Sequence, residues 1–432
     1  MLLNEENIDR KRSKRNRFFE DISIGSFLAY RQVIRSNKAT TALIIFVMTL
    51  TFLNLVVVSG ILVGLIQGSI NTVKDAYISD ISVTVLNNKT NIENSPQIIK
   101  TIKAIPWVDS MTARYITGGK IEANYKTKIK VTDITDEVST SIAGIDPTDE
   151  ENVTKISRFL IDGEYFGPND SDKIIIGSML LKKYFPVESP GFATLSDAKV
   201  GDKVRITING NTREMTIKGI LKTKVDEVSR RVFIPEAEFR VLAGKTDYNV
   251  NEIAIKVKPN INPELVRDAI KMTGADKYAK IQTFDEAKPK FLNDLIDTFA
   301  LLGNVVGSIG LVVASITIFI VIYINAITRR KFIGILKGIG IEGSAIKTAY
   351  VMQAIFYAIV GTIIGCLILF FILKPYFDAN PIDFPFSDGI LVATTSGVMI
   401  RVALLLIATI IAGYIPARIV VKQNTLDAIL GR

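Results

Sequence analysis

Residues Thr328–Gly343 read TRRKFIGILKGIGIEG and lie between two long apolar runs, Leu301–Ile327 before and Ala345–Leu373 after. Each run is longer than the ~20 residues that cross a bilayer. The stretch is therefore a tight loop joining two membrane helices. Arg329, Arg330, Lys331 and Lys337 give it the excess of positive charge that marks a cytoplasmic loop. At helical spacing Phe332, Ile335, Leu336 and Ile339 share an apolar face, and Arg330, Gly334, Lys337 and Gly338 share the other. Two glycines four apart let another backbone approach closely. The pattern predicts that the glycine face meets a partner and that Phe332 meets the membrane or the helix bundle. A docking helix and a plain positive-inside anchor both fit these residues.

Outward from the loop, the charge and hydropathy pattern organises the whole chain. Of its 432 residues 48% are hydrophobic, and the net charge is +9. The apolar residues clump into four blocks. The basic run Arg10–Arg17 (RKRSKRNR) precedes the first block, and there it suits cytoplasmic topology and anionic lipid better than nucleic acid. The first block, from near Ala39 to Ile66, is too long for a signal-peptide core, and no small-residue cleavage site is evident. There is no histidine, which removes His-based acid/base chemistry and His metal ligands. The lone Cys366 lies in an apolar run and is expected to pack there.

Taken in order, 1–17 is a polar cytoplasmic tail. An amphipathic interfacial helix follows at 18–38, then span one at 39–66. Residues 67–298 hold stalk helices and an inserted α+β domain. Span two is 299–327, the loop 328–344, span three 345–373, an outer loop 374–391, span four 392–415 and a basic tail 416–432. In the inserted domain, alternation predicts strands at Ile81–Leu86, Lys128–Thr132, Lys203–Ile208, Glu214–Leu221 and Glu252–Val257, with a hairpin turn at Ile208–Asn211. Helical patterns cover Pro96–Ala104, Gly177–Phe185, Pro235–Ala243 and Pro263–Met272, and a second stalk helix is expected over Phe284–Phe299. Gly361 and Gly365 form a GxxxG pair in span three that favours close helix packing. Asn54 and Arg401 are the polar intrusions in spans one and four. Arg401 is expected to snorkel to the outer surface.

Gly244-Lys245-Thr246 ends like a phosphate-binding loop, but Phe239 stands where the pattern needs glycine. Gly338 and Gly343 have the right spacing, but Ser344 stands where lysine is required. The chain is therefore not expected to hydrolyse ATP, and no catalytic or metal-binding residues are assigned.

The ordered set of motifs resembles a known family. The loop ITRRKFIGILKGIG, the GxxxG of span three and the end GYIPARIVVKQNTLDAIL are similar to the permeases of MacB-type ABC transporters and the FtsX-like superfamily, with the LolC/LolE lipoprotein-releasing subunits. Ile142–Pro147 (IAGIDP), the run Gly163–Leu180, Val200–Val204 (VGDKV) and Phe233–Pro235 (FIP) resemble the MacB-like periplasmic core domain. Two positions depart: Phe332 and Gln353 stand where the family often has Glu. The resemblance implies an ATPase-coupling helix formed by Arg329, Arg330, Lys331, Phe332, Gly334, Ile335, Leu336, Lys337, Gly338, Ile339 and Gly340. It implies two copies of a cytoplasmic ATPase carrying ATP and Mg, with no cofactor on this chain. A second permease, alike or different, is a further partner, beside membrane lipids and an extracytoplasmic substrate protein or adaptor; nucleic acid is not. The implied function is mechanotransmission for export or extraction of a lipoprotein, hydrophobic compound or peptide from the inner membrane. Signalling to an extracytoplasmic wall hydrolase is the alternative. Both termini are expected inside and the large domain outside.

Overall fold

A computed structural model describes residues 22–126, 136–168, 170–186, 193–380, 382–384, 387–389 and 391–422. Two compact units emerge. One comprises the described residues within 22–66, 296–383 and 388–422; the other comprises those within 67–295 and 384–387.

The first unit holds four helices long and apolar enough to cross a membrane. Span one belongs to a helix running Lys38–Val73, span two to Lys290–Thr328, span three to Gly343–Ile368 and span four to Thr395–Val421. Span three continues through a π-helical turn, Leu369–Leu373, into Lys374–Ala379. Span four contains Pro416, buried within the helix. Small residues set the contacts. A Cβ on Gly361 would come to 2.7 Å from the Cβ of Met48 and 3.1 Å from the amide of Thr49, and one on Gly365 would enter the Phe52 ring. Thr49 Oγ1 donates to the Gly361 carbonyl at 3.1 Å across the same contact. Gly413 brings span four against Ala354 of span three. Span two buries a narrower stripe, Ala314, Ile318, Ile322 and Ala326, at four-residue steps. Asn54 is exposed rather than bonded into the bundle. Residues 22–34 are helical, with Gly25, Ala29 and Gln32 buried, and Gly25 rests on Thr348 at the start of span three. Phe27, Tyr30 and Ile34 point outward, the arrangement of a helix lying in an interface.

The second unit is built on one ten-stranded sheet. Its strands are β1 (Ile81–Val85), β2 (Val108–Ala123), β3 (Asp136–Ile145), β4 (Leu160–Gly163), β5 (Lys173–Gly177), β6 (Lys203–Ile208), β7 (Asn211–Leu221), β8 (Arg231–Pro235), β9 (Glu252–Val257) and β10 (Ala279–Thr283). They lie in the order β10-β1-β9-β2-β3-β8-β5-β7-β4, and β6 joins β2 to β7. β3–β8 and β5–β7 are parallel; the remaining pairs are antiparallel. Helices Ser95–Lys103, Glu236–Ala243 and Pro263–Met272 cover an aliphatic core of residues such as Ile81, Ile102, Ile121, Ile142 and Ile255. Asn209 and Gly210, both with positive φ, turn the β6–β7 hairpin.

Three expectations need correction or fall outside the description. Gly177–Phe185 is not a helix: β5 ends at Gly177, and only Ser178–Leu180 forms a 3₁₀ turn. A side chain at Gly177 would collide with the Ser229 backbone, so that glycine serves close strand packing rather than a helix start. The second stalk is not continuous from Phe284. A short helix, Phe284–Ala287, closes with the Thr283/Glu286 capping box, and a new helix starts at Lys290 after Pro289. Lys128–Thr132 lies outside the described residues.

Gly361→Val places two methyl groups against the span-one backbone, and overpacking of this kind costs ~1–3 kcal/mol. We expect the purified protein to lose thermal stability by a corresponding amount; an unchanged unfolding temperature would contradict the contact.

Candidate functional site

Two places concentrate the features expected of a coupling protein. The first is the loop helix, Arg330–Gly338. Its buried residues are Ile333, Gly334 and Leu336. Ile333 and Leu336 join a cluster that includes Ile346, Tyr350, Ala417 and Val420 of spans three and four. Lys337 Nζ donates to the Val421 carbonyl at 3.1 Å, using its charge at the C-terminal end of span four. Gly340 ends the helix with φ +95°, its amide bonding Lys337 O and the next amide, Ile341, bonding Leu336 O. This is a Schellman closure, and it demands glycine at that position. Ile341 and Leu336 meet in the same cluster.

The face assignment made from periodicity is therefore corrected. Phe332, Ile335 and Ile339 are 48%, 52% and 70% exposed. They do not seat the helix; Ile333 does, with Leu336. Gly334 faces inward instead of toward a partner. Gly338 is exposed and has nothing within 4 Å of a built Cβ. Lys331 is exposed, and Arg329 and Arg330 are half-buried at the start of the helix. The outward surface is thus an apolar stripe, Phe332–Ile335–Ile339, beside the bare Gly338. Gln353 lies buried in span three, its Nε2 donating to the Tyr357 hydroxyl at 2.8 Å.

The second place was not visible in the sequence. In the sheet-containing unit, the helix that began at Lys38 ends in a π-helical turn, Lys74–Ile78. Ser79 follows at φ 62°, ψ −152°, a conformation all but reserved for glycine. Tyr77 in that turn is clamped. Its hydroxyl donates to Glu252 Oε1 at 2.9 Å, and its carbonyl accepts from Arg114 Nη1 at 2.9 Å. The Arg114 and Arg231 guanidinium groups each lie 5.5 Å from its ring centre. Arg114 also forms a two-pronged bond to Glu150, at 2.9 and 2.7 Å, and that carboxylate accepts from Thr112 and Thr154 as well. Arg114 and Glu150 are 3% and 1% exposed. Burial pushes the Glu150 carboxyl up, but the charge and bonds of Arg114 outweigh it and hold the group below the usual Glu range. Asp80 then accepts from the Val257 amide at 2.8 Å. β1 pairs with β10, Ile81 opposite Thr283, and the Phe284 amide bonds the Asp80 carbonyl. The chain thus enters and leaves the sheet on adjacent strands.

The family model of the MacB-like periplasmic core domain matches residues 41–273, more than half of the chain. That of the FtsX-like permease C-terminal domain matches residues 304–425. The chain belongs to the MacB/FtsX family of ABC transporter permeases. It is a permease component rather than the ATPase, and a membrane protein with an extracytoplasmic domain. It is 25% identical over 342 residues to an uncharacterized ABC transporter permease of Methanocaldococcus jannaschii, covering 77% of this chain and 78% of that one. It is 23% identical to a macrolide export ATP-binding/permease protein MacB of Campylobacter jejuni, covering 51% of this chain. The chain spans 34% of that MacB protein's length. Among solved structures, the periplasmic region of MacB from Actinobacillus actinomycetemcomitans matches with 14% identity and a TM-score of 0.34, covering 49% of this chain and 92% of its own. The extracellular domain of the noncanonic ABC-type transporter YknZ from Gram-positive bacteria matches with 15% identity and a TM-score of 0.32, covering 48% and 99%.

The Glu150 carboxylate gives a pH prediction. Its folded-state pKa lies below the unfolded value of ~4.3, so it contributes stability present above that pH and lost as acid titrates the folded carboxylate. Glu150→Gln leaves buried Arg114 with only Glu252, 3.5 Å away, as a counter-charge, at a cost of up to ~3 kcal/mol near neutral pH. The variant should also lose part of the acid sensitivity of the parent. Unfolding measured from about pH 7 down to about pH 3 checks both; a variant as stable as the parent at the upper end would contradict the assignment.

Proposed function

We propose that this permease couples ATP hydrolysis by a separate cytoplasmic ATPase to shape changes in its extracytoplasmic domain. The work would be export or extraction of a lipoprotein, hydrophobic compound or peptide, with no need for substrate to cross a central channel. Two ATPase copies would serve two permease copies, ATP and Mg residing on the ATPase, and both termini of this chain would lie in the cytoplasm. The observation that carries this reading is the exposed stripe Phe332–Ile335–Ile339 on a helix whose opposite side is firmly seated by Ile333 and Leu336. These apolar residues, turned away from the bundle on a basic loop, are available to a partner's surface. Beside them, Gly338 leaves room for close approach. The clamped Tyr77 supports the other half of the reading, since a joint that bears force must be stiff.

The test is association with a candidate ATP-binding subunit, identified by pull-down with the chain, and that subunit's turnover in nanodiscs. Ile335→Glu puts a charge in the centre of the stripe without touching the seat. It should weaken association roughly tenfold or more, the scale of a central interface residue, and abolish stimulation of turnover. Gly338→Leu should act in the same direction. Binding should occur to inside-out and not to right-side-out membrane vesicles. Undiminished binding and turnover with Ile335→Glu would reduce the helix to an anchor, and binding to right-side-out vesicles would reverse the topology.

A further inference from the structure

In the four-span unit, the ends of spans one, two and four distant from the loop enclose a groove of about 610 Å³. That is within the ~300–1,000 Å³ of small-molecule sites. Its walls are largely aliphatic, with Leu55, Leu62, Leu311 and Leu404 among them. Glycines keep it open: a Cβ on Gly303 or Gly307 would meet only the side chains of Leu62 and Leu55, at 3.5 and 3.8 Å. A single charged residue, Arg401, lines it.

Arg401 is half-buried, and its Nη1 donates to the carbonyl of Gly397 one turn back on span four, at 3.0 Å. Among the described residues it has no acidic partner. A guanidinium carries five N–H donors in a fork that matches a phosphate or carboxylate. Depth narrows the choice. Span four has 27 residues, about 40 Å at ~1.5 Å per residue, which equals a bilayer with its headgroup layers. Gly397 is in its first turn, so the guanidinium bonded there lies at the headgroup level, and the aliphatic groove runs from it toward hydrocarbon.

We propose that this groove binds an anionic phospholipid, its phosphate on Arg401 and an acyl chain along Leu55, Gly307, Leu311 and Leu404. Charge complementarity selects the headgroup, and the groove selects a chain over a free ion. The site lies at the end of the unit away from the loop helix and does not rest on ATPase docking.

The full chain is reconstituted with vesicles of phosphatidylglycerol or phosphatidylcholine, re-extracted in detergent, and its retained lipid counted by native mass spectrometry. The parent should retain phosphatidylglycerol over phosphatidylcholine roughly tenfold, the scale of a charge-assisted pair. Arg401→Gln should erase the preference, and Arg401→Lys should keep part of it. Gly307→Leu, which fills the groove and leaves the charge, should reduce retention of both lipids. Millimolar inorganic phosphate should not displace the lipid. Equal retention of the two lipids by the parent, or an intact preference in Arg401→Gln, would overturn the proposal. So would displacement by inorganic phosphate alone. Loss of self-association in Arg401→Gln at unchanged lipid retention would make the groove a subunit contact instead.

Discussion

Much of the sheet-containing unit hangs on one buried bond, the two-pronged pair between Arg114 and Glu150. Both groups are removed from water, so each is costly without the other. Held in place, Arg114 has a donor left for the Tyr77 carbonyl and lies near Glu252 as well, at 3.5 Å. Glu252 in turn accepts from the Tyr77 hydroxyl and lies 3.8 Å from Arg231. The result ties β2, β8, β9 and the helix Pro147–Thr154 to the end of the helix that began at Lys38. The strained Ser79 next to it persists because the bonds around it fix its place. A flexible junction would let a moving helix slip; this one has its backbone and its side chain fixed at once.

The membrane unit is held differently. Within hydrocarbon there is little hydrophobic drive between helices, so close fit decides. Gly361 lets span one touch span three backbone to backbone, Gly365 makes room for the Phe52 ring, and Gly413 seats span four against Ala354 of span three. The loop helix is fixed to this frame by Ile333, Leu336 and the Lys337–Val421 bond. Its exposed apolar stripe is therefore presented by a rigid support, which is what docking a second protein requires.

The four spans and the domain inserted among them could be read directly from the chain, because a bilayer imposes lengths that few other settings mimic. The face of the loop helix could not. Apolar residues occur all round it, and in a membrane protein an apolar face can look to lipid, to a partner or to the bundle, so periodicity alone does not say which side is in. Strand β2 was missed for a related reason. Thr112 and Arg114 are polar yet buried, and Gly118 and Gly119 interrupt its middle, which hides the alternation of its Val108–Ala123 run. The Tyr77 clamp draws on residues between 77 and 252, and no local pattern links them. The false helix at Gly177 came from helix-compatible composition, where the Ser229 backbone had already claimed the space.

The most direct test of force transmission is hydrogen exchange on the reconstituted permease–ATPase complex, with and without a non-hydrolysable ATP analogue. If the loop drives the joint, nucleotide should change protection both in the loop, residues 330–343, and in the clamped segments 74–80 and 252–257. A response confined to the loop, with 74–80 and 252–257 unchanged while the ATPase is fully engaged, would contradict the coupling of the two.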